Sequence, residues 1–215
     1  MRVAIIGAGG WLGSAVAAEA IRRGHEVTAI SRTIESAPGL EHVARVTADV
    51  FDHDALVAAI RGHDAVVSSV TDRTTPDRSV IPDAARAVLR AVPEAGVPRL
   101  LVIGGGGSLE VEPGVRAIDQ PEFPPQYLAE ARAQADALDV LRSDGGSVDW
   151  TYLSPPPHDL VPGPRTGLYR ALAGDEPVRD DAGHSRISSG DLASALVDEL
   201  EEPRFSQRRF TAAAS

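Results

Sequence analysis

The chain of 215 residues contains no cysteine and no lysine. Without cysteine there is no disulfide, no thiolate nucleophile and no cysteine-ligated metal. All 21 basic residues are arginines, so no lysine Schiff base, Walker lysine or lysine-assisted tyrosine can be built. Positive charge is also scarce. The formal net charge is −10, and the densest basic runs are the dipeptides Arg22-Arg23 and Arg208-Arg209. A nucleic-acid partner is therefore not expected. No apolar run approaches the ~18 residues expected of a membrane helix. The N-terminus opens on a strand pattern with no charged and apolar leader before it, so a cytoplasmic protein is the expectation. No internal repeat is present. Apart from His158, the histidines form no metal-ligand spacing, and no metal site is expected.

What is present points to one large domain. Hydrophobic residues make up 43%, an ordinary share for a chain that buries a core. The most informative segment is the first. Arg-Val-Ala-Ile-Ile breaks into glycines at Gly7, Gly9, Gly10 and Gly13, and a helical stretch follows. Strand, glycine turn and helix in that order set a helix N-terminus against a pyrophosphate. The backbone N–H groups of Trp11 and Leu12 would lie near phosphate. The Gly7-x-x-Gly10-x-x-Gly13 spacing resembles that of the short-chain dehydrogenase/reductase superfamily.

Apolar runs and helical patterns then alternate. Strands are expected at Val3–Ile6, Glu26–Ile30, Arg45–Ala48, Ala65–Ser68, Leu100–Ile103 and Asp149–Leu153. Helices are expected at Leu12–Arg23, Asp54–Arg61, Val80–Ala95 and Pro125–Arg142, with Asp52 as a helix cap. This alternation reads as βαβ units in a Rossmann-like, doubly wound parallel α/β sheet spanning residues 1–153. From Ser154 onward the prolines rule out continuous regular structure until a helix at Ser189–Glu202 and a strand at Arg209–Ala212. Residues 154–215 are expected to form a small C-terminal, substrate-side lobe of the same domain.

Ser31 and Arg32 follow the second strand, where an NAD site usually carries a carboxylate for the ribose hydroxyls. Arg32 suits a 2′-phosphate and stacking on adenine, which favours NADPH over NADH. Asp49 and Val50 end the third strand beside the expected adenine position. Ser68, Ser69, Val70 and Thr71 end the fourth, toward the ribose and nicotinamide.

These pieces are joined by Leu101–Leu109 with its four glycines, by Trp150–Pro156, and by Ser185–Ser188 with Asp191-Leu192-Ala193. Together they resemble the atypical short-chain dehydrogenases with an NAD(P)H-binding domain: NmrA-like proteins, NADH–flavin reductases and biliverdin IXβ/flavin reductases. The resemblance spans essentially the whole chain. It implies a nicotinamide facing Gly104–Gly107 and Pro155–His158, with Pro155 and Pro156 on the carboxamide side. It also implies hydride transfer to a flavin, quinone or related acceptor.

The chain departs from the wider superfamily in one respect. The usual Tyr-x-x-x-Lys relay is absent, because Tyr127 is followed four residues later by Ala131, Tyr152 by Pro156 and Tyr169 by Ala173. Alcohol dehydrogenation by the usual route is disfavoured. Conjugated acceptors delocalise charge and need mainly orientation, so they survive the loss. His158 is the best candidate for a protein acid. A Pro-Pro-His run occupies the same place in biliverdin IXβ reductase-like sequences. Tyr127, Tyr169 and Ser108 are lesser candidates. The alternative to a reductase is a non-catalytic NAD(P)-state sensor of NmrA-like type, and epimerisation or dehydration with tightly held cofactor is a third reading. The expected partner is a small-molecule acceptor; a homodimer is compatible with the sequence but not specified by it.

Overall fold

A computed structural model describes residues 1–33, 40, 43–72, 76 and 78–215. The chain begins with β1 (Arg2–Ile6), α1 (Trp11–Arg22), β2 (Glu26–Ser31), β3 (Ala44–Thr47), α2 (His53–Ile60), β4 (Ala65–Ser68), α3 (Val80–Glu94) and β5 (Arg99–Ile103). A small hairpin, β6 (Glu110–Glu112) and β7 (Val115–Arg116), precedes α4 (Pro125–Asp144) and β8 (Asp149–Ser154). The remainder is β9 (Asp159–Val161), β10 (Tyr169–Ala173), β11 (Arg186–Ser188), α5 (Ser189–Glu201) and β12 (Arg208–Ala214).

Eight strands form the main sheet in the order β10-β12-β8-β5-β4-β1-β2-β3. All neighbours are parallel except the antiparallel edge pair β10 and β12. The central strands are apolar along nearly their whole length, as a parallel sheet covered on both faces requires. One face is covered by α2, α3 and α4, and the other by α1 and α5, giving two apolar cores. This is the Rossmann-like α/β fold expected from the alternation. Asp52 caps α2 by accepting from the Ala55 N–H at 3.1 Å.

The tail is divided between two roles. Pro155–Leu160 borders a surface crevice. By contrast, β12 pairs along β8, and α5 packs on α1 through Leu192, Leu196, Val197 and Leu200. Much of the segment beyond Ser154 therefore completes the sheet and its covering layer. Its apolar residues are too few for a separate core and join the existing one. The short strands β6, β7, β9, β10 and β11 are further elements that the sequence pattern did not mark. They are half-exposed and only two to five residues long, so they leave little alternation to read.

Two ionic clusters lock the layers. At the α1–α5 contact, Arg23 bridges Glu19, Asp198 and Glu201 at 2.6–2.7 Å. The Arg22 hydrogen bond is the main cause holding the Glu19 carboxyl down at about 2; burial opposes it, and Arg23 adds to it. Beneath the sheet, the fully buried Glu199 receives Arg99 together with the backbone N–H groups of Arg204 and Phe205 at 2.9 and 3.0 Å. Arg99 also reaches Asp149 at 2.7 Å and Thr151 at 2.6 Å.

Candidate dinucleotide and acceptor site

β1 and β4 lie at the centre of the sheet, where the chain reverses its direction of winding. The crevice outside the carboxyl ends of such strands is the usual ligand position in open α/β sheets. Here the loops after β1 and β4 border two cavities that share Gly10, Ser69 and Thr71. The two cavities adjoin at these residues and together make up the groove.

The glycine loop has a division of labour. Gly7 has φ +80°, and a Cβ there would stand 2.5 Å from the Ser69 carbonyl oxygen. A Cβ on Gly13 would stand 2.2 Å from the Gly7 carbonyl oxygen. These two glycines let the turn close and the helix seat against it. Gly9 differs, because a Cβ there would meet nothing within 4 Å, and the residue faces the groove. Gly10 caps α1 without a side chain, and no acidic residue occupies the first turn. The first helical bond of α1 runs from the Ser14 N–H to the Gly10 carbonyl at 2.9 Å. The N–H groups of Trp11, Leu12 and Gly13 thus end the helix as free donors. Uncapped donors, absent carboxylates and an open glycine fit a pyrophosphate.

The first cavity, about 280 Å³, is bordered by Gly7, Gly9, Ser31, Arg32, Asp49, Val50 and Val70. The structure thus gathers the residues expected at the adenosine end. Arg32 is exposed at the rim. Ser31 Oγ donates to the Thr33 carbonyl at 2.9 Å, shaping the bend that carries Arg32. Asp49 Oδ1 accepts from the Phe51 N–H at 3.0 Å, so this carboxylate stabilises the turn and also borders the groove. Ser68 lies elsewhere: it is buried within β4 and borders neither cavity. The small residues that do reach the groove are Ser69, Val70 and Thr71.

The second cavity, about 520 Å³, continues from Trp11 and Leu12 to the Gly104–Gly107 loop, Pro155–His158, and the first two turns of α4. The four-glycine run has a packing cause that the sequence did not reveal. A Cβ at Gly104 would fall 1.8 Å from Tyr152, at Gly105 2.9 Å from Gln134, at Gly106 2.3 Å from the Pro155 carbonyl and at Gly107 2.6 Å from Ile118. Each Cβ direction is already occupied, so bare backbone forms this wall.

Helix α4 enters through Phe123-Pro124 and starts on Pro125, where a missing N–H costs nothing. Tyr127, Glu130, Ala131 and Gln134 follow at spacings that place them on one face, and all four border the cavity. Ala131 stands where a Tyr-x-x-x-Lys lysine would be, and its Cβ lies 2.8 Å from the Cβ position of Gly107. Gln134 is buried, and its backbone carbonyl accepts from the Tyr152 hydroxyl at 2.7 Å. Glu130, Gln134 and Phe123 were not singled out from the sequence; the spacing from Tyr127 was the available signal.

Among the acid candidates, His158 borders the cavity and is exposed, with its ring centroid 6.1 Å from that of Phe123. Tyr127 borders the cavity as well. Tyr169 and Ser108 do not. Tyr169 donates to Asp198 at the α5 side, and burial raises its hydroxyl pKa. Ser108 Oγ accepts from Arg209 at 2.8 Å. Among the described residues no group of three or more His, Cys, Asp or Glu side chains could hold a metal, and no helix is long and apolar enough to cross a membrane.

A sequence model of the NAD(P)H-binding family matches residues 7–203, nearly the whole of this fold. The chain belongs to the NAD(P)H-binding family. Membership places it among the atypical relatives of the short-chain dehydrogenases, as the glycine loop suggested. The uncharacterised family relative YwnB of Bacillus subtilis (strain 168) is 39% identical over 98% of this chain and 97% of its own length. A solved structure from Streptococcus pneumoniae TIGR4, described as a putative NADH-flavin reductase, is 32% identical with TM-score 0.88 and covers all of both chains. Another, from Bacteroides thetaiotaomicron and described as a putative epimerase, is 36% identical with TM-score 0.87, covering 99% of this chain and 96% of that one.

Proposed function

We propose that this NAD(P)H-binding protein is an NADPH-dependent reductase that delivers hydride to a flavin, quinone or similar conjugated small molecule. The observation that carries this reading is the single groove. A dinucleotide cradle adjoins, at Gly10, Ser69 and Thr71, an aromatic and apolar cavity of about 520 Å³ that lacks the Tyr–Lys pair. The bound dinucleotide supplies the hydride. The protein binds the pyrophosphate through the α1 N-terminus and holds the 2′-phosphate with Arg32. Trp11, Phe123 and Tyr127 give the acceptor flat walls and help exclude water. A delocalised acceptor needs little help with developing charge, which matches a site without the relay.

The test is oxidation of NADPH, followed by nicotinamide absorbance, against a panel of flavins, quinones and enones. Turnover with at least one conjugated acceptor is expected. Tight dinucleotide binding with no oxidation across the panel overturns the reading and leaves nucleotide sensing in its place.

His158 is the proposed proton donor, through its position in the cavity wall beside Phe123. His158→Ala is expected to lower kcat by about tenfold or more, within the range of a positioned general acid, while NADPH affinity is unchanged. An unaltered kcat with several acceptors would remove His158 from the chemistry and leave solvent or Tyr127 as the source.

A further inference from the structure

Glu130 has no role in holding a dinucleotide and no salt-bridge partner among the described residues, yet it is half-buried in the wall of the acceptor cavity. The cavity is also bordered by Tyr127, Ala131 and Gln134 on the same helical face, by Phe123 before the helix, by the bare backbone of Gly105 and Gly106, and by the His158 ring. Among the described residues bordering this cavity, Glu130 is the sole carboxylate and none is an arginine. A carboxylate in an apolar-walled cavity acts at lower effective dielectric than one in water, so its field on a bound ligand is strong. The adenosine end differs, bordered by Arg32 and the Asp49 carboxylate together.

From this placement we infer that Glu130 is a charge filter for the acceptor: the site takes conjugated acceptors that are neutral or carry N–H donors, and rejects their phosphorylated or sulfonated forms. The inference rests on the reading of this cavity as the acceptor site and narrows its substrate class. Two aromatic systems of equal shape should be separated by the charge of a substituent alone. Riboflavin should be accepted over flavin mononucleotide, which shares its ring system and adds a phosphate. A neutral naphthoquinone should be accepted over its sulfonate. Repulsion between like charges in a confined site gives specificity by disfavouring the wrong ligand, with no new contact to the right one.

The experiment measures equilibrium binding of both pairs to the NADP⁺-loaded protein, where no turnover occurs, and then NADPH oxidation with the same compounds. The neutral member of each pair is expected to bind about tenfold tighter, the scale of one like-charge contact. Glu130→Gln keeps the shape of the side chain and should close most of that gap by tightening the anionic member; Glu130→Arg should invert it. Equal or tighter binding of the anionic members to the unaltered protein overturns the inference. So does a gap that Glu130→Gln leaves unchanged, and so does failure of both neutral probes to bind. Charge discrimination in binding without any NADPH oxidation would leave the filter standing and remove the reductase reading. Turnover without discrimination would do the reverse.

Discussion

Arg32→Ala is expected to weaken NADPH binding on the order of 30-fold and to leave NADH binding nearly unchanged, since hydrogen bonds to charged groups contribute about 1.5–3 kcal/mol. The site explains the asymmetry. Arg32 borders the adenosine cavity at the end of β2, on a bend fixed by the Ser31 hydroxyl. The described residues directly after β2, Arg32 and Thr33, include no carboxylate to accept from a ribose 2′-hydroxyl as an NAD site usually has, so Arg32→Ala takes no such anchor from NADH. Arg32 is exposed, so its contribution is screened. The NADPH-to-NADH preference should therefore shrink as salt is raised. Calorimetric titration of both dinucleotides into the unaltered and variant proteins provides the measurement. Equal loss for the two would remove the 2′-phosphate assignment and leave Arg32 as a solvated surface group.

Glu199→Ala should produce the largest loss of stability. Glu199 is completely buried under β5 and β8 and accepts from Arg99, from two backbone N–H groups and from Thr151 at 3.2 Å. Removing it takes from the buried Arg99 guanidinium its fully buried carboxylate and leaves only the partly exposed Asp149 as counter-charge, while Arg99 Nε already lacks a partner. Stranding one member of a buried ion pair costs about 3–5 kcal/mol. For a domain of this size that corresponds to roughly 10 °C in Tm. Replacing both members, Arg99→Met with Glu199→Leu, should recover much of the loss, because the charge then left unpaired, on Asp149, is partly exposed to water. Recovery would be incomplete, since the N–H groups of Arg204 and Phe205 lose their acceptor. Thermal unfolding of the three variants tests this. A Glu199→Ala protein that melts within about 2 °C of the parent would show that water or a rearranged Asp149 replaces the lost carboxylate.

Both predictions draw on features that differ in how far sequence could reach them. The residue order around Gly7 to Gly13 marked the turn, and the structure gives each glycine a separate reason: Gly7 and Gly13 for close backbone contact, Gly9 for open approach. Ser31-Arg32 could be placed because it follows immediately after an apolar strand. Ser68 could not be separated from Ser69, since strand-end position alone does not reveal which of two adjacent residues turns toward the groove. Glu199 lies one helical face away from ordinary surface glutamates such as Glu201 and Glu202 in the same segment, and nothing in its neighbours announces burial. Its partner Arg99 is far away in the chain.

The sequence by itself determined the dinucleotide half of this protein. That half is built from local geometry: a strand, a turn that only glycine fits, a helix N-terminus, and the residues directly after the next strand. The lack of lysine is equally a property of the sequence, and it alone determined that the usual relay is missing. Tertiary structure decided the second cavity, the one proposed to take the acceptor. The side chains there come from α4, from the loop after β5 and from the loop after β8, which meet only once the sheet is assembled. Helical spacing puts Tyr127, Glu130 and Gln134 on one face, but it does not say what that face looks toward. The packing of bare glycines at 104–107 against Tyr152, Gln134, Pro155 and Ile118 settles that, because it fixes where the wall of the cavity that Glu130 borders runs.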